Sequence, residues 1–253
     1  MKPWLAMFVC TLTAAHGETN LERGKRVIQE CLAALGGERF RHVQHREEAG
    51  RAYSFYREQL SGLTIATIYT QYEASVTDTA HKLAVREREN FGKKQDYGIL
   101  FTETAAYDLT FRGSRELEAE RFQRYRDTTL NNIFYILRIR LNETGLTLES
   151  RGADVVDNRA VELVDIVDAD NNLVTVYFDQ LTKVPVRQIF KRRDPKTRLN
   201  DEEVTLFTKY RTVEGIQWPF AIQRERNGEK TFELFSESVH FDKPLEEKLF
   251  VMP

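Results

Sequence analysis

Few residues in this 253-residue chain are of a type that could do chemistry, and their spacing argues against most of those. His42-Val43-Gln44-His45 is the nearest approach to a metal pair. Read as part of a strand, positions i and i+3 point to opposite faces, so one ion could not readily meet both rings. Asp165, Asp168 and Asp170 form a run of carboxylates leading into Asp170-Asn171-Asn172, where acids serve as turn-formers. Cys31 falls on the apolar side of an expected helix, which suits a buried, inert thiol better than a nucleophile. No Gly-rich phosphate loop and no serine-nucleophile elbow is found. The expectation is a protein with no catalytic residues, no metal and no cofactor, and not an enzyme.

Charge narrows the partners. The formal net charge of −2 gives no electrostatic footprint for nucleic acid. Lys191 to Arg198 is a basic loop that could touch anionic headgroups, although a solvated loop keeping edge strands apart explains it as well. Arg121, Arg124, Arg138 and Arg140 read as the wet face of helices. Asn142-Glu143-Thr144 matches a glycosylation sequon, relevant only in a eukaryotic secretory pathway.

With so little chemistry, the apolar pattern carries the reading. Ile216, Trp218, Phe220 and Ile222 alternate with period two and so share one face of a strand. Glu214-Gly215 precedes them and Asn227-Gly228 follows, and Asn-Gly favours a two-residue hairpin turn because both positions take positive φ. Leu130, Ile133, Phe134, Leu137 and Leu141 recur at helical spacing in a middle segment, though 134–141 can also be read as a strand. We expect Ile216, Trp218, Phe220, Ile222, Phe134 and Leu137 to line a hydrophobic cavity; a filled core beneath a helix would use the same residues.

The elements that must position this face are mostly strands. Met1 to Gly17 has a positive start, a short apolar stretch and small residues for cleavage, the pattern of a signal peptide that leaves residues 18–253 as one domain. Thr19-Asn20-Leu21-Glu22 is a capping box opening a helix that Gly36-Gly37 stops. Strands are expected at 51–56, 63–72, 82–86, 97–101 and 106–111, with a helix from Ser114. More follow at 161–167, 173–178, 183–191, 203–211, 216–222 and 232–235, giving about eleven in all. So many sequential strands curl, close or split. The expected fold is α+β, a single curled antiparallel sheet with an N-terminal helix and mid-chain helices over its concave face.

Ala34-Leu35-Gly36-Gly37, Phe178-Asp179-Gln180-Leu181-Thr182-Lys183-Val184-Pro185-Val186, Tyr210-Arg211-Thr212-Val213-Glu214-Gly215-Ile216-Gln217-Trp218-Pro219 and Leu249-Phe250 resemble the LolA/LolB-like superfamily, exported bacterial outer-membrane lipoprotein-sorting proteins. The resemblance implies an unclosed β-barrel whose concave face holds the acyl chains of a lipid or lipoprotein. The leader makes a periplasmic location the expectation, and the expected state is a monomer with an envelope membrane or transport complex as partner. That family's functional arginine matches no one position here. The alternative is a non-catalytic structural or interaction module of the cell envelope with no bound lipid.

Overall fold

The computed structural model describes residues 17–73, 82–193, 198 and 200–252. The leader segment 1–16 and most of the basic loop, 194–197 and 199, lie outside the described residues. Helix α1 (Asn20–Leu35) opens the chain, capped as its sequence requires. Glu22 N donates to Thr19 Oγ1 at 3.2 Å, and Thr19 N donates to Glu22 Oε2 at 2.8 Å. A short α2 (Glu38–Arg41) follows.

Six strands come next: β1 (His45–Tyr56), β2 (Gln59–Tyr72), β3 (Val85–Phe91), β4 (Tyr97–Phe101), β5 (Ala106–Thr110) and β6 (Gly113–Glu116). The helical segment is α3 (Ala119–Leu130) and α4 (Ile133–Tyr135), running into a π-helical turn, Ile136–Arg140. Seven strands complete the set: β7 (Thr147–Val156), β8 (Arg159–Val167), β9 (Leu173–Asp179), β10 (Pro185–Arg193), β11 (Asn200–Val213), β12 (Ile216–Arg226) and β13 (Glu229–Phe241). A 3₁₀ turn, Glu247–Phe250, packs with Leu100 and Leu109 in a cluster of its own.

All thirteen strands form one antiparallel sheet in the order β6-β5-β4-β3-β2-β1-β13-β12-β11-β10-β9-β8-β7, a curled sheet not closed into a barrel. The fold is therefore the α+β curled sheet that the residue pattern implied, left unclosed as the resemblance implied, with two strands more than expected. One is β7, whose only buried residues are Leu148 and Ser150, so it shows no apolar alternation. The other is β6 (Gly113–Glu116), exposed throughout, which takes Ser114–Glu116 out of the expected helix and moves the start of α3 to Ala119. Residues 134–140 are helical, which decides between the two readings of that segment in favour of the helical spacing.

The strand order explains where the helices lie. The chain works outward from β1 to one edge of the sheet, β6, and resumes at the opposite edge, β7. The connection between them has to cross the whole sheet. It does so over the concave face and is fastened along its length. Ala84 N donates to Tyr135 Oη at 2.8 Å on one side, and Ile133 N donates to Gln188 Oε1 at 2.9 Å on the other. Arg138 Nη1 donates to the carbonyls of Phe40 and Arg41 at 2.9 and 2.8 Å.

Helix α1 fills the β7–β12 side of the trough. Val27, Ile28, Cys31 and Leu35 pack with Phe178, Phe190, Phe207, Ile216, Trp218 and Phe220 in one core. Gly24 lets the helix lie against the edge strand, since a Cβ there would collide with the Leu148 carbonyl.

Candidate ligand-binding cavity

Between the crossing segment and strands β1–β3 and β11–β13 the trough stays hollow, with a cavity of about 390 Å³. That lies within the roughly 300–1,000 Å³ range of small-molecule sites. Its two walls differ. On β11–β13 and the crossing segment the inner lining is apolar, from Phe134, Phe207, Trp218, Ile222, Phe232 and Leu234, while Arg121, Arg124 and Arg224 stand at its outer end. Ala52, Ala66, Ile68 and Phe91 extend that surface onto β1–β3.

The β1–β3 wall also carries charged side chains, and the strand register sets their pattern. Arg46, Thr70 and Glu87 are direct cross-strand neighbours, and Glu48, Ile68 and Glu89 form the next rung. Arg46 holds the first rung together: its Nη2 donates to Thr70 Oγ1 at 3.0 Å and to Glu87 Oε2 at 3.3 Å. It also pairs with Glu48 at 3.5 Å and lies 4.8 Å from the centroid of the Trp218 ring. Glu48 is buried and accepts a short hydrogen bond from Ser236 Oγ.

Glu89 is less well provided for. Burial, reinforced by the neighbouring Glu87 charge, pushes its carboxyl up to about 7, against the opposing pull of Arg224, Arg121 and Arg46. Tyr125 stacks on Phe101 at 3.7 Å between ring centroids, and burial raises its hydroxyl well above the ordinary range. Towards the surface, the lining ends at Arg121 and Arg124, both exposed, and Arg224.

Of the six residues singled out in the sequence, the structure places Trp218, Phe134 and Ile222 beside this cavity. Ile216, Phe220 and Leu137 lie in the solid core beside α1. Trp218 and Phe134, 4.9 Å apart between centroids, belong to both and form the partition.

A third strand that stops at Arg86 leaves the charged lining outside it. Extended to Phe91, its parity is Val85-x-Glu87-x-Glu89-x-Phe91, which shows that apolar ends and carboxylates share one inward face.

The four arginines read as a solvated face divide differently. Arg121 and Arg124 line the cavity, Arg138 ties down the helices, and Arg140 is 2% exposed, between Glu143 at 2.7 Å and Asp168 at 3.0 Å. Asp168 is a turn-former too, accepting from the Asp170 and Asn172 amides at 3.0 and 2.9 Å. Burial works against its charge, but hydrogen bonds from Asn172 and Arg140 outweigh burial and hold its pKa below the usual range.

His42 ends α2 and His45 starts β1, so the two rings do not share a strand. Among the described residues no group of three or more His, Cys, Asp or Glu could hold a metal ion. Cys31 is fully buried, and burial raises its thiol pKa.

Comparison with solved structures identifies the fold as LolA-like. A DUF1329 family protein from Desulfovibrio piger aligns with a TM-score of 0.61 and 10% identity over 92% of this chain and 98% of its own. A putative outer membrane lipoprotein-sorting protein domain from Vibrio parahaemolyticus gives 0.59 and 12%, covering 91% of this chain and 97% of its own. A LolA superfamily protein from Nitrosomonas europaea gives 0.53 and 9%, over 90% and 97%. No family model and no curated protein matches the sequence.

Proposed function

We propose that this protein is a non-catalytic carrier that shelters one acyl chain in the hollow half of its trough. The observation carrying the reading is the cavity itself, walled by Phe207, Trp218, Ile222, Phe232 and Leu234 and roofed by the crossing segment. Burying an alkyl chain there is favourable by ~25 cal/mol per Å² of apolar surface removed from water. The likeness to a lipoprotein-sorting domain supports an envelope setting, with a lipid or lipoprotein as cargo. On this reading the chain is exported to the periplasm, needs no cofactor and acts as a monomer that meets a membrane or transport complex.

The test is titration of the purified protein with a fluorescent fatty acid. Saturable binding is expected. Ala66→Trp, which puts a large ring into the cavity, should abolish it while the circular dichroism spectrum is retained. A lack of saturable binding across several lipid classes would remove this reading and leave the interaction module as the alternative.

A further inference from the structure

The cavity wall carries more cations than its own carboxylates neutralise, and they gather at one end. Arg46 is committed to Glu48 and Glu87. Arg121 and Arg124 stand one turn apart on α3, so they share a side of the helix. Arg224 reaches the same cavity from β12, its guanidinium 5.5 Å from the Phe232 centroid. Among the described residues none of these three forms an ion pair, whereas Arg46, Arg140 and Arg226 all do. Glu89 is the one remaining lining carboxylate, and its neutral form is favoured by burial.

The apolar surface runs inward from these cations. Arg224 pairs across the strands with Phe232, and the next inward-facing rung is Ile222 with Leu234. Phe207 shares that rung as the partner of Ile222, and Trp218, also nearly fully buried, lies further along β12. A molecule aligned with the strands would meet cations first and then hydrocarbon.

We propose that the cavity selects amphiphiles with an anionic head, a carboxylate or phosphate held by Arg121, Arg124 and Arg224, and the tail against Ile222, Phe232 and Leu234. The proposal rests on the carrier reading and adds the head-group class. Guanidinium suits the role because its planar fork can grip two oxygens of either anion at once. A neutral head makes no such bonds, and an ammonium head would be repelled by the same three groups.

Calorimetric titrations with dodecanoate, dodecyl phosphate, dodecanol and dodecylammonium hold the tail constant and vary only the head. One or both anions should bind about tenfold or more tightly than dodecanol, with dodecylammonium weakest, and the advantage should shrink as salt rises. Whichever anion leads separates a fatty-acid source from a phosphorylated one. The triple variant Arg121→Gln, Arg124→Gln, Arg224→Gln should erase the advantage, bringing the anion-to-dodecanol affinity ratio measured on that variant close to one. Equal affinity for all four heads, a preference for dodecylammonium, or an anion advantage that survives the triple variant would overturn the head-group proposal while the carrier stands. Failure of all four to bind would overturn both.

Discussion

The two halves of the trough share a sheet, a curvature and a covering segment, yet one is solid and the other hollow. The difference is α1. It lies under β7, β8 and β12, and among the described residues no equivalent helix fills the trough against β1–β3. The solid half spends its aromatic residues on packing: Phe178, Phe190 and Phe220 are all at most 5% exposed. The hollow half presents small side chains, Ala52 and Ala66, and inward-facing charges, Arg46, Glu48, Glu87 and Glu89. A concave sheet therefore provides a container only where the chain leaves out the filler, and the residues that make the container useful are the ones a core would exclude.

This contrast can be broken most forcefully in the solid half. Phe178→Ala removes a ring that is 1% exposed and should cost about 3–5 kcal/mol in urea unfolding. Ile68→Ala, on the cavity wall, should cost well under half of that, because it widens an existing space. Equal losses would show that both halves are packed alike. Arg140→Met should also be severe, at about 3–5 kcal/mol, since it strands the Glu143 and Asp168 carboxylates without their counter-charge.

A subtler contrast is the sign of the pH dependence. Asp168, in the solid half, has a pKa below its ordinary 3.8, so its contribution to stability is complete above that value and lost as pH falls through the lowered one. Glu89, in the hollow half, has its pKa raised from 4.5 to about 7, so the folded protein retains a proton that the unfolded chain releases. Between those values stability should fall as pH rises, and Glu89→Gln should flatten that slope without changing the acid limb. Urea midpoints measured from pH 3 to pH 8 would check both signs. The smallest effect belongs to the cap of α1: Thr19→Ala should cost about 1 kcal/mol, seen as a slightly lower thermal midpoint.

What could be read from the sequence follows the same division. The solid half and its turns were legible because they obey local rules. Asn227 and Gly228 take positive φ, as do Glu214 and Gly215, and Leu35 precedes a glycine stop with its side chain fully buried. The hollow half broke those rules. Glu87 and Glu89 lie beyond Arg86, where the expected third strand stops, so their inward parity was not legible. Arg121 and Arg124 on α3 are exposed, as a wet helix face requires, while also lining the cavity. Period alone could not show which of Ile216, Trp218, Phe220 and Ile222 would face α1 and which the void, because that depends on where a distant helix ends. β7 was hidden because it is strand by partnership with β8, not by composition.

The position of β13 has a consequence for how the protein is made. It is the middle strand of thirteen, and it is also the last to be synthesised. Until it emerges, β1 and β12 are raw borders of two separate half-sheets, and the contact that joins them, Glu48 with Ser236, bridges 188 residues. Closure over such a span is slow, and open borders invite pairing with other chains in the interval. A chain cut short at the last hairpin would therefore lose the joint between its two halves, not merely a fringe.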